Sequence, residues 1–278
     1  MTDLIELATA ALPEVVGDLQ AEQHALESIL EGLEPGDVDA ATPAQGWTVR
    51  DTVAHLVQGE ELAAMAITDP AGFKGLLEGL MSDLGETLAD FEVWARSAAM
   101  TDLLERWSAA RDKVRVGLEK LDARDKIPWV LGPMSAATFA RARLMECWAH
   151  GLDVTDGLGI LRSDTDERLR HVLYMGVRTH GFSFKVRGLD VPEPPFRLEL
   201  TSPSGDTWTA GPATATEVVR GPAWDLAAVV TQRRNPADTS LVANGAGVQQ
   251  WLAVAQCFAG PPTENRPPGT FVAGRWQR

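Results

Sequence analysis

The sequence has 278 residues and a formal net charge of −14. A chain of this length is long for one compact domain and short for three, which favours two domains with separate cores. The excess of acidic residues argues against a nucleic-acid partner, because phosphate binding needs clustered Lys and Arg. No run approaches the ~18 apolar residues of a membrane-spanning helix, and acids stand where a signal peptide would be basic, so we expect a cytoplasmic protein without a membrane partner.

The first predicted elements follow the 3.6-residue apolar period of amphipathic helices. Pro13 suits the first turn of a helix that runs to residue 33, and the breaker-rich residues 34–46 predict a surface loop. Thr48 is a suitable cap for a second helix, because Asp51 follows in its first turn. Asp69-Pro70 ends this helix, since the residue before a proline disfavours helical geometry.

The helical pattern is weaker over residues 71–96, where glycines interrupt short apolar stretches. We interpret this segment as an insertion over the mouth of a bundle, where it shapes a substrate pocket. Thr101, followed by an acid-rich turn, predicts the cap of a third helix that continues to residue 121. Ser135 begins a fourth helix that stops near Gly157. These four helices predict a four-helix bundle.

The second half of the sequence predicts one more helix and then a region whose apolar residues follow the period of strands. Residues 158–185 favour a further helix, whereas residues 196–201 alternate with the period of two that is typical of a half-buried strand. A Pro-rich linker separates them, so we predict a domain break between 180 and 196. Further predicted elements are strands at 207–210, 216–220 and 239–243, helices at 223–234 and 246–258, and an extended or disordered Pro-rich tail at 260–269.

The predicted fold class is therefore a two-domain α+β protein. Residues 1–185 form the four-helix bundle, and residues 196–278 form a smaller domain with a sheet on one side and helices on the other.

A carboxylate and an imidazole lie four residues apart in the fourth predicted helix. This spacing places Glu146 and His150 on one helical face, where they form half of a transition-metal site. The best third ligand is His55, which lies beside the apolar stripe of the second helix. The alternatives are a core histidine bonded to a carbonyl and a surface i,i+4 pair that contributes only a few tenths of a kcal/mol.

Asp153 follows His150 by three residues, on nearly the same helical face. A ligating histidine commonly donates its second ring N–H to a carboxylate, which fixes its tautomer. An acid near a helix C-terminus opposes the helix dipole and needs a compensating partner. We therefore expect Asp153 to contact His150 or a polar substrate and to be buried. The alternative is a solvated acid without a partner.

The other histidines and cysteines are weaker candidates. His24 lies on a charged helix face, and His171 and His180 are nine residues apart, which does not place them on one helical face. Cys147 and Cys257 lie far apart in apolar helical contexts, so we expect buried, reduced thiols and no disulfide. Cys147 follows Glu146, but the ~100° step of a helix turns it away from the ligand face.

The string Thr42-Pro-Ala-Gln-Gly-Trp-Thr-Val-Arg-Asp-Thr-Val-Ala-His-Leu56 precedes Glu146-x-x-x-His150-x-x-Asp153 by about ninety residues. This pattern resembles the DinB-like superfamily and, within it, the mycothiol-dependent maleylpyruvate isomerase family of actinobacteria. The resemblance implies a four-helix bundle with a metal held by a His of the second helix and a Glu and a His of the fourth. Those positions are His55, Glu146 and His150. It also implies a C-terminal sterol-carrier-like domain.

The chemistry expected of such a site follows from its open coordination. Two His and one Glu leave at least one position for water, a thiol or a carbonyl, which is the catalytic arrangement for zinc, the first metal we expect. An open divalent ion lowers the pKa of a bound thiol. The resemblance implies mycothiol as cosubstrate, whose thiolate adds to an activated double bond and permits cis–trans isomerisation. The same site would also suit thiol transfer.

A small anionic substrate would need a cation, and Arg binds carboxylate through its planar fork. In the family an Arg of the C-terminal domain helps to form the active site, and Arg233 and Arg234 are the nearest matches here. The match departs from the family, because more than forty residues and another predicted helix follow them. The alternative is two cations that stabilise the C-terminus of a helix.

Two other functions stay open at this point. Two His and one carboxylate also suit non-haem Fe(II) oxygenases, although those usually have a β-sandwich fold and a different His spacing. A metal- and ligand-binding protein without turnover is the other alternative. The expected partners are a small-molecule substrate and a low-molecular-weight thiol, and the oligomeric state, monomer or dimer, is open.

Overall fold

The computed structural model describes residues 10–80, 94–193, 195–272 and 275–276. One compact unit spans Ala11–Ile160, and the other contains Leu161–Arg278. The first is helical and the second combines a sheet with helices, so the two-domain α+β class is confirmed. The helices within these described ranges include none that is long and apolar enough to cross a membrane.

In its described residues, the helical unit contains helices α1 to α5 and one short antiparallel ladder. Helix α1 packs along α5, and α2 packs against α3, α4 and α5. The elements are α1 (Leu12–Glu31), α2 (Val49–Thr68), α3 (Pro70–Leu80), α4 (Met100–Leu118), β1 (Lys126–Ile127), β2 (Met134–Ser135) and α5 (Ala136–Leu158).

Local capping explains where most of these helices begin. The Thr48 and Asp51 side chains form a capping box, in which each accepts a hydrogen bond from the other residue's backbone N–H. Ser135 Oγ accepts from the Thr138 N–H at 3.3 Å and caps α5. Both predicted helix starts are confirmed, as is Pro13 in the first turn of α1.

The predicted cap of the third helix was wrong. Helix α4 begins at Met100, and Thr101 already lies inside its first turn without a capping role. The cause is tertiary packing, because Ala95 and Ala98 are buried in the core shared with α2 and fix the chain immediately before the helix. Residues 81–93 of the predicted insertion lie outside the described residues, whereas α3 occupies its beginning.

The C-terminal unit begins earlier in the sequence than the predicted boundary. Helix α6 (Asp166–Arg178) packs against a helix of this unit, α8 (Ala223–Val230), and α7 (His180–Lys185) packs against its last helix, α9 (Ala246–Val254). Gly176 permits the close approach of α6, since a Cβ there would lie only 2.6 Å from Val230. The single helix predicted over 158–185 is therefore two helices that share the core of the second unit.

The sheet of this unit has the order β4-β3-β5-β6. β3 pairs antiparallel with β4 and parallel with β5, and β6 pairs antiparallel with β5. Leu198 and Leu200 are buried, so the predicted strand and its hairpin are confirmed. The strands are β3 (Phe196–Thr201), β4 (Thr207–Ala210), β5 (Glu217–Pro222) and β6 (Val242–Asn244), followed near the end by β7 (Phe271–Val272) and β8 (Arg275–Trp276).

The helix predicted to reach Arg234 ends at Val230. Gln232 adopts a left-handed φ of 61°, and its N–H donates to the Val229 carbonyl. The Arg233 N–H donates to the Ala228 carbonyl, which completes a Schellman motif that closes the helix. The prediction was wrong because Gln holds the position where Gly would normally signal a helix end.

Candidate functional site

Helices α2 and α5 pack side by side and bring the three predicted donors together. Glu146 Oε2 lies 3.9 Å from His55 Nε2 and 3.6 Å from His150 Nε2. One ligand atom from each residue lies within 4.8 Å of the other two. Two donors bound to one tetrahedral zinc ion lie roughly 3.4 Å apart, given bond lengths of about 2.1 Å. The arrangement therefore fits a divalent ion after only small movements of the side chains.

These three residues form the one cluster of converging His, Cys, Asp and Glu donors in the described ranges. Their side chains are 40% exposed for His55, 23% for Glu146 and 11% for His150. The cluster thus lies at the edge of the core and opens toward solvent on the side of His55. This partial burial provides both a fixed geometry and an access path for a small molecule.

Asp153 fixes the orientation of the His150 ring. Its Oδ2 lies 3.2 Å from His150 Nδ1, and the residue is fully buried. A hydrogen bond from Nδ1–H to this carboxylate leaves Nε2 free to face Glu146. The structure therefore places Asp153 where the sequence led us to expect it, beneath the donor cluster and not in solvent.

Trp47 contacts both imidazoles, a role that was not predicted from the sequence. Its ring stacks on His150 with a centroid distance of 5.8 Å and an interplanar angle of 12°, and its centroid lies 5.2 Å from that of His55. The Trp47 carbonyl accepts hydrogen bonds from Thr42 N at 2.9 Å and from Thr42 Oγ1 at 3.0 Å. The indole therefore restricts both donor rings from one side. Its place directly before the Thr48 cap and within the Thr42–Leu56 motif was the signal available.

The electrostatic environment keeps Glu146 ionised. Burial alone raises the pKa of this carboxyl, but the adjacent His55 imidazole and the positive charges of His150 and Arg143 outweigh it. The net result is a pKa of about 2. Glu146 is thus a carboxylate at neutral pH, which is the form that a metal ion would require of this residue.

A cavity of roughly 170 Å³ adjoins the donor cluster on the side of His55. Helix α2 and the segment before it form one wall, and the segment that precedes α4 forms another. The cavity is smaller than the ~300–1,000 Å³ typical of drug-sized ligands and suits a small molecule. The residues that line it are Gly46, Trp47, Asp51, Ala54, His55, Gln58, Ala95 and Arg96.

Arg233 and Arg234 lie in the C-terminal unit, in the turn that follows α8. Arg233 Nη1 donates to the Thr231 carbonyl at 2.7 Å. Arg234 is 3% exposed, and its guanidinium lies 3.5 Å from the ring centroid of Phe271. Each of the two guanidinium groups therefore has partners within its own unit.

The remaining histidines and cysteines match the expectation that they are not ligands of this cluster. Cys147 and Cys257 are buried and are not joined in a disulfide, as predicted. His24 is exposed on α1, and His171 is fully buried in α6. His180 packs among Phe184, Phe196 and Trp251, and burial lowers its pKa.

Comparison with known proteins extends these observations to the family level. Residues 19–155 match the family model of the mycothiol maleylpyruvate isomerase N-terminal domain. An uncharacterised protein found in two strains of Mycobacterium tuberculosis is 40% identical over 251 residues, which cover 90% of this chain and 97% of the relative.

Two crystal structures of mycothiol-dependent maleylpyruvate isomerase, one of them a mutant, resemble the chain. The TM-scores are 0.58 for the mutant and 0.56 for the other, each at 14% identity. The alignments cover 87% and 84% of this chain and 95% and 93% of those chains, respectively. At this identity the likeness establishes the fold alone. The family-model match, and not this likeness, confirms the family predicted from the motif: the chain belongs to the mycothiol-dependent maleylpyruvate isomerase family.

Proposed function

We propose that this protein is a metal-dependent enzyme that uses mycothiol to isomerise, or transfer a thiol to, a small anionic substrate. The observation that carries the proposal is the convergence of His55, Glu146 and His150 beside an open cavity. Family membership supplies the thiol, since the family model and the structural neighbours are named for mycothiol.

The donor set suits zinc, which accepts two imidazoles and a carboxylate and keeps a fourth position open in catalytic sites. A divalent ion bound there lowers the pKa of a coordinated thiol and polarises a coordinated oxygen. A non-haem iron oxygenase uses the same donor types, but no further feature of the described residues favours it.

The chain's own residues prepare the site in three ways. Asp153 holds the Nδ1–H of His150, so that Nε2 faces the other donors. Trp47 restricts both imidazole rings, which reduces the conformational entropy lost when ligands bind. The ionised Glu146 carries the negative charge that draws a cation to this point on α5.

We assign Arg233 and Arg234 no catalytic role, because each guanidinium already has partners within the C-terminal unit. We propose instead that their contribution is to close helix α8, which their backbone N–H groups do through the Ala228 carbonyl. The alternative left open by the sequence, two cations that stabilise the helix C-terminus, places both residues at the same helix end but through their side-chain charges.

Metal and thiol titrations test the proposal. We expect one equivalent of Zn²⁺ or Co²⁺ per chain, and strong loss of binding in His55→Ala, Glu146→Gln and His150→Ala. His24→Ala is the matched control, because His24 is exposed on α1. Mycothiol added to the Co²⁺ protein should produce the absorption band of thiolate coordination.

The outcomes separate the alternatives. Failure to bind either metal at the three donors would overturn the proposal. Metal binding without a mycothiol-dependent band would favour the metal-binding protein without turnover. With both in place, maleylpyruvate is the first substrate to assay for isomerisation, because it is named for the structural neighbours.

A further inference from the structure

Arg96, in the segment that precedes α4, is a cationic residue that lines the cavity. Arg96 lines the same cavity as His55 and Trp47, and it is exposed. The protein as a whole carries a net charge of −14, so an arginine that lines a small cavity beside a carboxylate-bearing cluster is not a consequence of composition. Its position calls for a separate explanation.

The segment that carries Arg96 is firmly attached to the helical unit. On either side of Arg96, Ala95 and Ala98 are buried in the core that contains Val53 and Val57. Arg50 of α2 donates a hydrogen bond to the Ala98 carbonyl. In addition, the Arg106 guanidinium lies 4.5 Å from the Trp94 ring centroid. Arg96 is therefore held on the wall by its neighbours.

The guanidinium of Arg96 differs from those of the nearby arginines in having no partner among the described residues. Arg50 forms an ion pair with Asp39, and Arg106 forms one with Glu61. Arg96 makes no hydrogen bond or ion pair with any residue in the described part of the chain. The acid that lines the cavity, Asp51, already accepts two hydrogen bonds at Oδ2 from Thr48.

Gln58 adds a second group of suitable chemistry. It lies on α2 three residues after His55, lines the cavity, and its amide has no hydrogen bond to the described residues. The amide NH₂ can donate to a carboxylate oxygen. The cavity therefore combines an available guanidinium and an available amide on the side of the metal donors that is open.

We propose that Arg96 binds a carboxylate of the substrate in this cavity, with Gln58 as an additional donor. The substrate class is a small carboxylate whose second polar end faces His55 and the metal donors. The planar fork of Arg matches the two oxygens of a carboxylate, and charge-assisted bonds of this kind are about twice as strong as neutral ones. The inference rests on the proposed function for the presence of a metal and a thiol at the neighbouring donors.

Maleate, a small cis-dicarboxylate, is the probe for the test. Calorimetric titration of the zinc-loaded protein should show binding that weakens by roughly tenfold or more in Arg96→Gln, because the charge-assisted hydrogen bonds to the carboxylate are lost. Arg96→Lys should give an intermediate affinity, since it keeps the charge and loses the fork. Arg115→Gln is the matched control, because Arg115 pairs on the surface of α4 with Asp112 and Glu119.

A neutral probe makes the test specific to charge. Maleamide, the diamide of the same shape, should bind wild type and Arg96→Gln equally weakly. Equal maleate affinity in wild type and Arg96→Gln overturns the inference, and so does the absence of maleate binding to wild type. If the zinc titration fails, maleate is titrated into the metal-free protein, where the same difference between variants decides the role of Arg96. Failure of the proposed function and failure of this inference are therefore read from different titrations.

Discussion

The two units of the chain bury their polar side chains in different ways. In the helical unit, the Arg143 guanidinium donates to Glu60 Oε2 at 3.3 Å, and both residues are almost fully buried. In the C-terminal unit, the buried side chains of Ser183, Gln232 and Gln256 form hydrogen bonds mainly to backbone groups. Pairs of side chains fix helices relative to one another, whereas bonds from side chains to backbone fix the path of loops.

The buried pair of the helical unit joins the two helices that carry the proposed metal donors. Glu60 lies on α2, five residues after His55, and Arg143 lies on α5, three residues before Glu146. Gln23 of α1 donates a further hydrogen bond to Glu60 at 3.3 Å. Gly59 leaves room for the guanidinium, because a Cβ there would lie 3.0 Å from Arg143 Nη2. The pair therefore sets the register of α2 against α5, on which the distances within the candidate site depend.

The buried polar groups of the C-terminal unit hold the chain that follows α9. Gln232 Nε2 donates to the carbonyls of Ala255 and Thr263, and Gln232 Oε1 accepts from Thr263 Oγ1 at 2.6 Å. Arg187 also donates to the Thr263 carbonyl. Of the two predictions for the Pro-rich tail, the extended strap is thus correct for its first residues.

The largest expected effect comes from breaking the buried pair. Arg143→Met leaves the Glu60 carboxylate buried without its cation, and we expect a loss of about 3–5 kcal/mol in the free energy of unfolding. Urea denaturation measures it. Arg115→Met, which removes a surface cation of α4, should leave the denaturation midpoint unchanged.

A second variant identifies the cause of that loss. Arg143→Met combined with Glu60→Gln has no buried unpaired charge and should recover much of the lost stability. If Arg143→Met costs no more than Arg115→Met, the pair does not hold α2 against α5, and the contrast between the two units is wrong.

The next effect concerns the carboxylate under His150. Asp153→Asn keeps the shape of the side chain but weakens the acceptor for Nδ1–H, so we expect zinc affinity to fall by about 10–100-fold with the fold intact. Calorimetry at neutral pH measures the affinity. Asp112→Asn is the control, because Asp112 is exposed on α4 and has no contact with the donors. Unchanged zinc affinity in Asp153→Asn would contradict the assigned role.

Local signals explain what the sequence could predict. The Thr48 and Ser135 caps act within three residues of themselves, and the i,i+4 spacing of Glu146 and His150 is a property of one helix. Both are independent of the rest of the chain. The inclusion of His55 was a choice among five histidines, which the family motif strengthened.

The features that the sequence did not predict depend on tertiary contacts. Trp47 meets the imidazoles only because the loop before α2 folds back on α5, and Arg96 reaches the cavity only because Ala95 and Ala98 are buried against α2. In the turn that closes α8, Gln232 occupies the left-handed position where glycine is usual. Its side-chain hydrogen bonds to residues distant in the sequence hold this backbone conformation. A helical period in the sequence carries none of this information.

Substitution of Gln232, in the C-terminal unit, should have a smaller effect. Gln232→Ala removes three hydrogen bonds and keeps the left-handed backbone, so we expect a loss of about 1–3 kcal/mol in the free energy of unfolding. Gln232→Gly loses the same bonds but relieves the backbone, and it should be about 1 kcal/mol more stable than the Ala variant. Zinc affinity should not change in either. Equal stabilities of the Ala and Gly variants would show that the backbone is not strained.

The smallest expected effect on stability concerns side-chain hydrogen bonds at the surface of the C-terminal unit. Asp166, in the first turn of α6, accepts hydrogen bonds from Ser204 N at 3.0 Å and from Ser204 Oγ at 2.7 Å, which attach the β3–β4 turn to the helix. Burial raises the pKa of this carboxyl, but the hydrogen bonds from Ser204 and Ser202 and the charge of Arg170 outweigh it, so its pKa is lowered.

Because the folded pKa of Asp166 is lowered, the carboxylate contributes stability above the unfolded-state pKa of about 3.9. The contribution is lost as the pH falls through the lower folded pKa. Asp166→Asn should therefore cost less than about 1 kcal/mol at pH 7, since the group is largely exposed to solvent, and the difference from wild type should shrink in acid. Urea midpoints at pH 7 and pH 3 measure it, with Asp190→Asn, an exposed acid, as the control. A difference in urea midpoint that stays constant or grows toward low pH would mean that the ionised carboxylate does not hold the turn. Hydrogen bonds of polar side chains would then stabilise this unit only where those side chains are buried.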